Sequence, residues 1–376
     1  MKEHRVRGTD RRKTAHALAA ALLAAGVAAG DVVHTLGRRL EGRLAFRQGA
    51  VEVADQRVGW DDVVLVLRQD RRRTLPAPHV VRLTRGEAWA AEIRELSGEA
   101  LHVHLSLVGD RELELADVAA LEFRPHLSRR LELRSGTLYR QAGEPIPGSL
   151  LWMEPQRLAI DSPLGVLTIQ REGLLAYRFD RRAERAEDED EVRLLDGTVL
   201  RCKATPGDNR LELDHPVLGH LAVPADAVRW VVRAHPQVRH VAGPSAWRVR
   251  TFPLIVQPAP PPEPVALPGP QAPACLRGLR VEPRTVLRCT PPGGGGQPAL
   301  FRARVAPLEG ARGDAVLRLS AGGERLAEKT LGPDAGWERL RVELEGGKEL
   351  TVEVDFGLRL RFPCGVVLGD PHFVSR

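Results

Sequence analysis

Aromatic residues, lysine and cysteine are all scarce in this chain. Aromatics make up 4% of 376 residues, with only two tyrosines. That poverty argues against a surface built on rows of stacking rings. Lysine occurs five times among 55 basic residues, so the cations are nearly all arginine. They are interleaved with carboxylates along most strands, and nucleic acid is not an expected partner. The densest basic run, Arg71-Arg72-Arg73, reads as a solvated loop. The four cysteines, Cys202, Cys275, Cys289 and Cys364, include no CxxC pair and no Cys/His spacing of a zinc site. GxSxG, HExxH and P-loop motifs are missing; neither Lys-Ser/Thr nor a helix start follows the glycines at 293–296. His102 and His104 share a strand face, but no third ligand accompanies them. No metal, cofactor or catalytic residue is therefore expected, and the chain does not read as an enzyme.

The first residues carry what the rest lacks. A basic stretch from Lys2 to Lys13 precedes an apolar run from Ala15 to Ala25 and a small-residue site at Val27-Ala28-Ala29. This is the pattern of a signal peptide over residues 1–29, and it predicts export to the periplasm, cell surface or exterior. The run is too short and too rich in alanine to span about 30 Å of hydrocarbon, and no later segment is long and apolar enough. Residues 1–29 hold six Lys/Arg and two Asp/Glu, so +4 of the chain's net +6 lies there. An oxidising destination allows disulfides. Four cysteines permit three pairings; the expected one joins Cys289 to Cys364 and leaves Cys202 free.

From about residue 33 to 233 one pattern recurs four times. In the fourth copy, Val192 to Leu195 is a strand, Asp196-Gly197 a tight turn, and Val199-Leu200 starts the next strand. Alternation then runs through Leu211 and Leu213, and Ala227 to Val231 closes the unit. The third copy closes on Leu174 to Phe179, the second on Val118 to Phe123, and the first on Val63 to Leu67. Period-two alternation broken by Gly, Pro and Asp predicts antiparallel strands with one buried face. Units of roughly 45 residues are marginal alone, so either small SH3- or Sm-like barrels packed in pairs or meander sheets that share a core are expected. Breaks near 126–134 and 181–191 predict a grouping of units 1 and 2 over residues 30–130 and units 3 and 4 over 131–252. The pattern is similar in style to repeats of exported planctomycete-type proteins.

Residues 253–274 contain nine prolines and read as a semi-rigid polyproline spacer outside any sheet. Beyond it, residues 275–376 alternate cleanly. Phe301, Ala303 and Val305 face one way while Arg302 and Arg304 face the other; Leu340, Val342 and Leu344 alternate with Arg339, Arg341 and Glu343. The predicted fold is all-β: repeated small antiparallel units, then a jelly-roll β-sandwich.

Several pieces of this last block resemble one family. They are Leu276 to Val281, Leu300 to Val305, Gly336-Trp337, Glu349 to Gly357 and the terminal Gly369-Asp370-Pro371. In that order and spacing they resemble NPCBM, a carbohydrate-binding module first described alongside glycosyl hydrolase family 98. The resemblance covers the last quarter of the chain. It implies a galactose-binding-like sandwich that binds sugar without cleaving it. Trp337, with Arg339 and Asp334 nearby, is the contact set expected under that resemblance, and a polysaccharide or glycan the expected partner. The shortage of aromatics favours the other expectation, an envelope scaffold that binds proteins.

Overall fold

A computed structural model describes residues 30–68, 77–124, 133–181, 188–252, 262–266, 277–292 and 297–375. The expected signal peptide and Cys275 lie outside the described residues. The fold is all-β.

The four repeats are visible as four units. Unit 1 holds β1 (Asp31–Thr35), β2 (Arg39–Gly42), β3 (Leu44–Arg47), β4 (Ala50–Val53), β5 (Gln56–Gly59) and β6 (Val63–Leu67). Unit 2 holds β7 (His79–Leu83), β8 (Ala88–Ser97), β9 (Ala100–Leu105), β10 (Gly109–Glu114) and β11 (Val118–Glu122). Unit 3 holds β12 (Thr137–Arg140), β13 (Ile146–Pro147), β14 (Ser149–Met153), β15 (Arg157–Ser162), β16 (Gly165–Gln170) and β17 (Leu174–Arg178). Unit 4 holds β18 (Asp190–Leu194), β19 (Val199–Gly207), β20 (Arg210–His215), β21 (Gly219–Pro224) and β22 (Val228–Val232). In each unit the closing strand returns to pair with the first: β6 with β1, β11 with β7, β17 with β12 and β22 with β18. Local chemistry makes the predicted turns. Gly197 takes φ +103°, a conformation costly for a side chain, while Asp196 Oδ1 accepts from Thr198 N at 2.9 Å.

The grouping differs from the one expected from the breaks. β22 pairs with β6, Val231 opposite Val66, so unit 4 joins unit 1. β11 pairs with β17, Leu121 opposite Tyr177, so unit 2 joins unit 3. The closing strands are flanked on both edges, and β6 (VVLVL) and β11 (VAALE) are buried at every position, as strands covered on both faces are. Units 2 and 4 meet where Ala88 bridges Val199. There Glu87, 1% exposed, accepts from Trp89 Nε1 at 2.8 Å and Arg201 N at 3.0 Å, and lies 3.0 Å from His215 Nε2. One apolar core, with Phe46, Trp89, Leu138 and Leu200 among its members, runs through all four units.

The sandwich is larger than the alternation predicts. It contains β23 (Val238–His240), β24 (Arg248–Thr251), β25 (Glu263–Ala266), β26 (Arg277–Val281), β27 (Thr285–Cys289) and β28 (Ala299–Pro307). It continues with β29 (Ala315–Ala321), β30 (Glu324–Leu331), β31 (Glu338–Leu344), β32 (Leu350–Phe356) and β33 (Val366–Ser375). One sheet has the order β25-β26-β33-β28-β31, with β23 also on β33; the other is β24-β27-β32-β29-β30. We call them the first and second sandwich sheets. Phe301, Phe373, Leu317 and Val352 fill the space between them.

Three expectations are corrected by the sandwich. The sandwich begins before the proline-rich segment, because β23 and β24 already belong to it. That segment is also not wholly outside the sheets: Glu263–Ala266 adds to β26 as an edge strand. An edge tolerates Pro264, since one side of an edge strand needs no ladder hydrogen bonds. The Cys289–Cys364 bridge is not formed either: both are buried free thiols, as is Cys202. Their places explain this. The next residue after Cys364, Gly365, abuts the Val281 carbonyl, 2.7 Å from where a Cβ would sit. From that corner β27 runs away to Cys289 at its far end, and four residues of strand cover roughly 13 Å. A disulfide needs Cα atoms within about 7 Å. Burial pushes the Cys364 thiol up to about 11, with Glu282 adding to the rise, so it stays protonated at neutral pH.

Candidate binding surface

The outer face of the first sandwich sheet carries a cluster of arginines. Alternation turns Phe301, Ala303 and Val305 into the core and Arg302 and Arg304 outward. On β31 the same period turns Arg339 and Arg341 outward. The register sets Arg302 opposite Arg341 and Arg304 opposite Arg339. Four arginine side chains thus leave neighbouring places on two strands, with Cβ atoms about 5 Å apart across the pair. On the other side of β28, Arg302 faces His372 and Arg304 faces Gly369, which is itself opposite Gly278. The two glycines carry no side chains, which leaves the floor open beside Arg304.

Unit 1 forms the opposite wall. His34, Gly37, Arg38 and Arg39 look onto the arginine face across a cleft of about 330 Å³. Arg302 ties the two walls, donating to the Thr35 and Gly37 carbonyls, both at 3.1 Å. A small apolar cluster of Val32, Val64, Leu65, Trp230 and Val232 packs beside this junction. Six arginines line the cleft against one carboxylate, Asp370, whose Oδ1 accepts from Arg277 N at 2.9 Å. Arg39 is paired with Glu41 at 2.9 Å and Arg341 lies 3.6 Å from Glu343. Arg304 is different. Its Nε and Nη1 are buried and have no hydrogen-bond partner.

The histidines register this field. His34 and His372 stack edge-on at 6.4 Å, and His240 lies 5.8 Å beyond His372. Burial, then His372, Arg39, Arg302 and Arg304, hold His34 down to about 3. Burial and Arg302 hold His372 down to about 4, although its hydrogen bond to the Asp370 carbonyl works the other way. Both rings are therefore neutral at pH 7.

The expected contact set is split. Arg339 lines the cleft. Trp337 is half-buried just before β31 and does not line the cleft. Asp334 is exposed in the loop between β30 and β31 and does not line the cleft. Arg302, Arg304, Arg341, His34 and His372 were missed. Alternation does show the arginines pointing outward, but not which strands lie side by side, nor that a wall from residues 34–39 covers them.

Other predicted features have local explanations. His104 Nδ1 is 2.6 Å from Asp110, which also pairs with Arg94 at 3.0 Å. At one end of the sandwich, Leu358, Leu360 and Phe362 are 97%, 72% and 56% exposed on the loop before β33. Among the described residues, no group of His, Cys, Asp and Glu could hold a metal, and no helix is long and apolar enough to cross a membrane.

No family model matches the sequence, and no curated protein matches it. Solved structures similar to the chain include carbohydrate-binding modules. One is a CBM51 from Clostridium perfringens in complex with methyl-galactose: TM-score 0.25, 14% identity, 27% of this chain and 72% of that one. Another is the tandem CBM51 pair of a family 98 glycoside hydrolase from Streptococcus pneumoniae: TM-score 0.26, 8% identity, 68% of this chain and 92% of that one. A third is the tandem CBM22 pair of a Paenibacillus barcinonensis protein: TM-score 0.27, 10% identity, 81% of this chain and 100% of that one.

Proposed function

We propose that this is an exported, non-catalytic glycan-binding protein whose NPCBM-like sandwich holds a polysaccharide on the outer face of its first sheet. The observation that supports it is Arg339 and Arg341 lining an open cleft, with the half-buried Trp337 two residues before Arg339. A half-buried indole offers an apolar face with a fixed edge, and arginine forks donate in a plane, which suits hydroxyl-rich rings. The test is a broad glycan-binding screen of the full chain beside Trp337→Ala. Binding that falls at least tenfold in the variant supports the reading; a wild-type chain that binds no glycan rejects it.

The second reading is an envelope scaffold that binds proteins. The exposed trio Leu358, Leu360 and Phe362 favours it, because contiguous apolar exposure on a loop marks an interaction surface. Capture of a defined envelope protein that is lost in Leu358→Ser/Leu360→Ser supports it. Retention by polysaccharide with no protein captured goes against it.

A further inference from the structure

Like charges directly opposite on neighbouring strands destabilise a sheet. In the second sandwich sheet arginines are matched by carboxylates: Arg318 stands between Glu328 and Glu353 in the register and bonds both, at 3.2 and 3.0 Å, and Arg248, which faces Arg288 from the edge strand β24, pairs with Glu349. The first sheet sets like charges against each other twice, with Arg302 opposite Arg341 and Arg304 opposite Arg339. Among the described residues Arg339 makes no ion pair or side-chain hydrogen bond, and two Arg304 nitrogens are buried without an acceptor. A buried guanidinium nitrogen left without a partner costs more than a neutral donor in the same place. His34 adds no negative charge, and its Nε2 is also buried without a partner. The cleft is thus short of acceptors, and it is open enough to admit them.

We infer that the cleft takes the anionic groups of an acidic glycan, as sulfate ester, phosphate ester or carboxylate, with Arg304 and Arg339 as the principal donors. The glycan part rests on the reading above; the anion part rests on the charges alone. Planar guanidinium forks match all three anions, two N–H bonds to two oxygens. The grid of arginines across two strands suits several charges along one chain better than a single ion.

The test uses the full chain and Arg304→Gln/Arg339→Gln. Binding of dextran sulfate and polygalacturonate is measured against neutral dextran and a short DNA duplex, with Tm followed in sodium sulfate against sodium chloride of equal ionic strength. The expected result is binding of an acidic polysaccharide but not dextran, weakened at least tenfold in the double variant. The variant's Tm without anion is expected to equal or exceed that of wild type, since like-charge repulsion is relieved. A lower Tm without anion would make the two arginines structural and overturn the site. Sulfate stabilisation that the double variant loses, with no polysaccharide bound, keeps the anion site and overturns the glycan. DNA binding as tight as that of dextran sulfate also overturns the glycan. Dextran bound with no response to any anion overturns the anion site and leaves the glycan reading standing.

Discussion

The two faces of the sandwich teach different lessons from the same residue type. On the second sheet Arg318 is held between Glu328 and Glu353, and its charge is spent within the fold. On the first sheet Arg304 and Arg339 face each other, and the fold supplies them with no counter-ion. Both faces obey the same alternation, and both sit over the same apolar core of Phe301, Leu317 and Val352. What separates them is position. On the second sheet Arg318 is itself half-buried but bonded to both carboxylates. On the first, Arg339 and Arg341 are exposed while Arg302 and Arg304 are half-buried where unit 1 partly covers the face, and there an unbalanced charge is more costly. A covered face that stays cationic is therefore a better functional pointer than a solvated basic run.

The repeat body makes the complementary point. Its charges are buried and nearly all matched where units meet. Glu87 serves Trp89, Arg201 and His215 at once, and Asp190 accepts from Arg233 and from Ala204 and Ala234 N–H groups. Matched burial of that kind holds separate units in register. On the first sandwich sheet Arg304 and Arg339 have no such carboxylate partner.

The comparison can be broken hardest by cutting the chain. Residues 275–376 alone lack β23, β24 and β25, which leaves both sheets short of edge strands; residues 236–376 include them. The shorter piece is expected to show no cooperative thermal transition and the longer one to show one, followed by near-ultraviolet circular dichroism. Next in size is Glu87→Ala. It strands His215, the Trp89 indole and the Arg201 amide in a dry junction, and a loss of about 3–5 kcal/mol in urea unfolding is expected. Cooperativity should fail first in the repeat body, with the sandwich unfolding near its usual midpoint.

Acid sharpens the comparison at intermediate size. His34 and His372 are held at about 3 and about 4, below an unfolded value near 6.5. The unfolded chain therefore binds protons first as pH falls, and stability drops. The junction should be constant in stability above pH 6.5, weaken between about 6.5 and 4, and continue to weaken toward 3. His372→Asn, followed by Tm against pH, should flatten that slope. His79, held at about 4 by burial and Arg171, contributes a similar slope in the repeat body and serves as the internal control. The smallest effect is Arg318→Gln. Its pairs are partly exposed, so a loss of about 0.2–1 kcal/mol is expected in urea unfolding. Arg304→Gln in the same assay should be neutral or stabilising; equal losses in both would erase the distinction between the faces.

Much of the fold was legible. The alternation of Leu340, Val342 and Leu344 with Arg339, Arg341 and Glu343 reports inward and outward faces without any tertiary information, since side chains in a strand have a period of two. Asp196-Gly197 reports a turn for the same local reason. The strands β23 to β25 were not legible. Val238–His240 is three residues long, and Glu263–Ala266 sits among prolines; both take their pairing from strands far away in sequence. The site was legible only in part. Arg339 and Trp337 stand out as residues, but Asp334 was grouped with them by closeness in sequence, which counts for little once a chain enters a sheet.

The sequence by itself determined the strands, their inward faces, the tight turns and the fourfold repeat, because each depends on neighbours within a few residues. Only the tertiary structure decided that unit 1 pairs with unit 4, that Cys289 and Cys364 lie at opposite ends of β27, and that His34 and Arg39 close over Arg302 and Arg304. Those outcomes depend on which strand edges meet. A two-residue period says which face is buried and leaves the neighbour open.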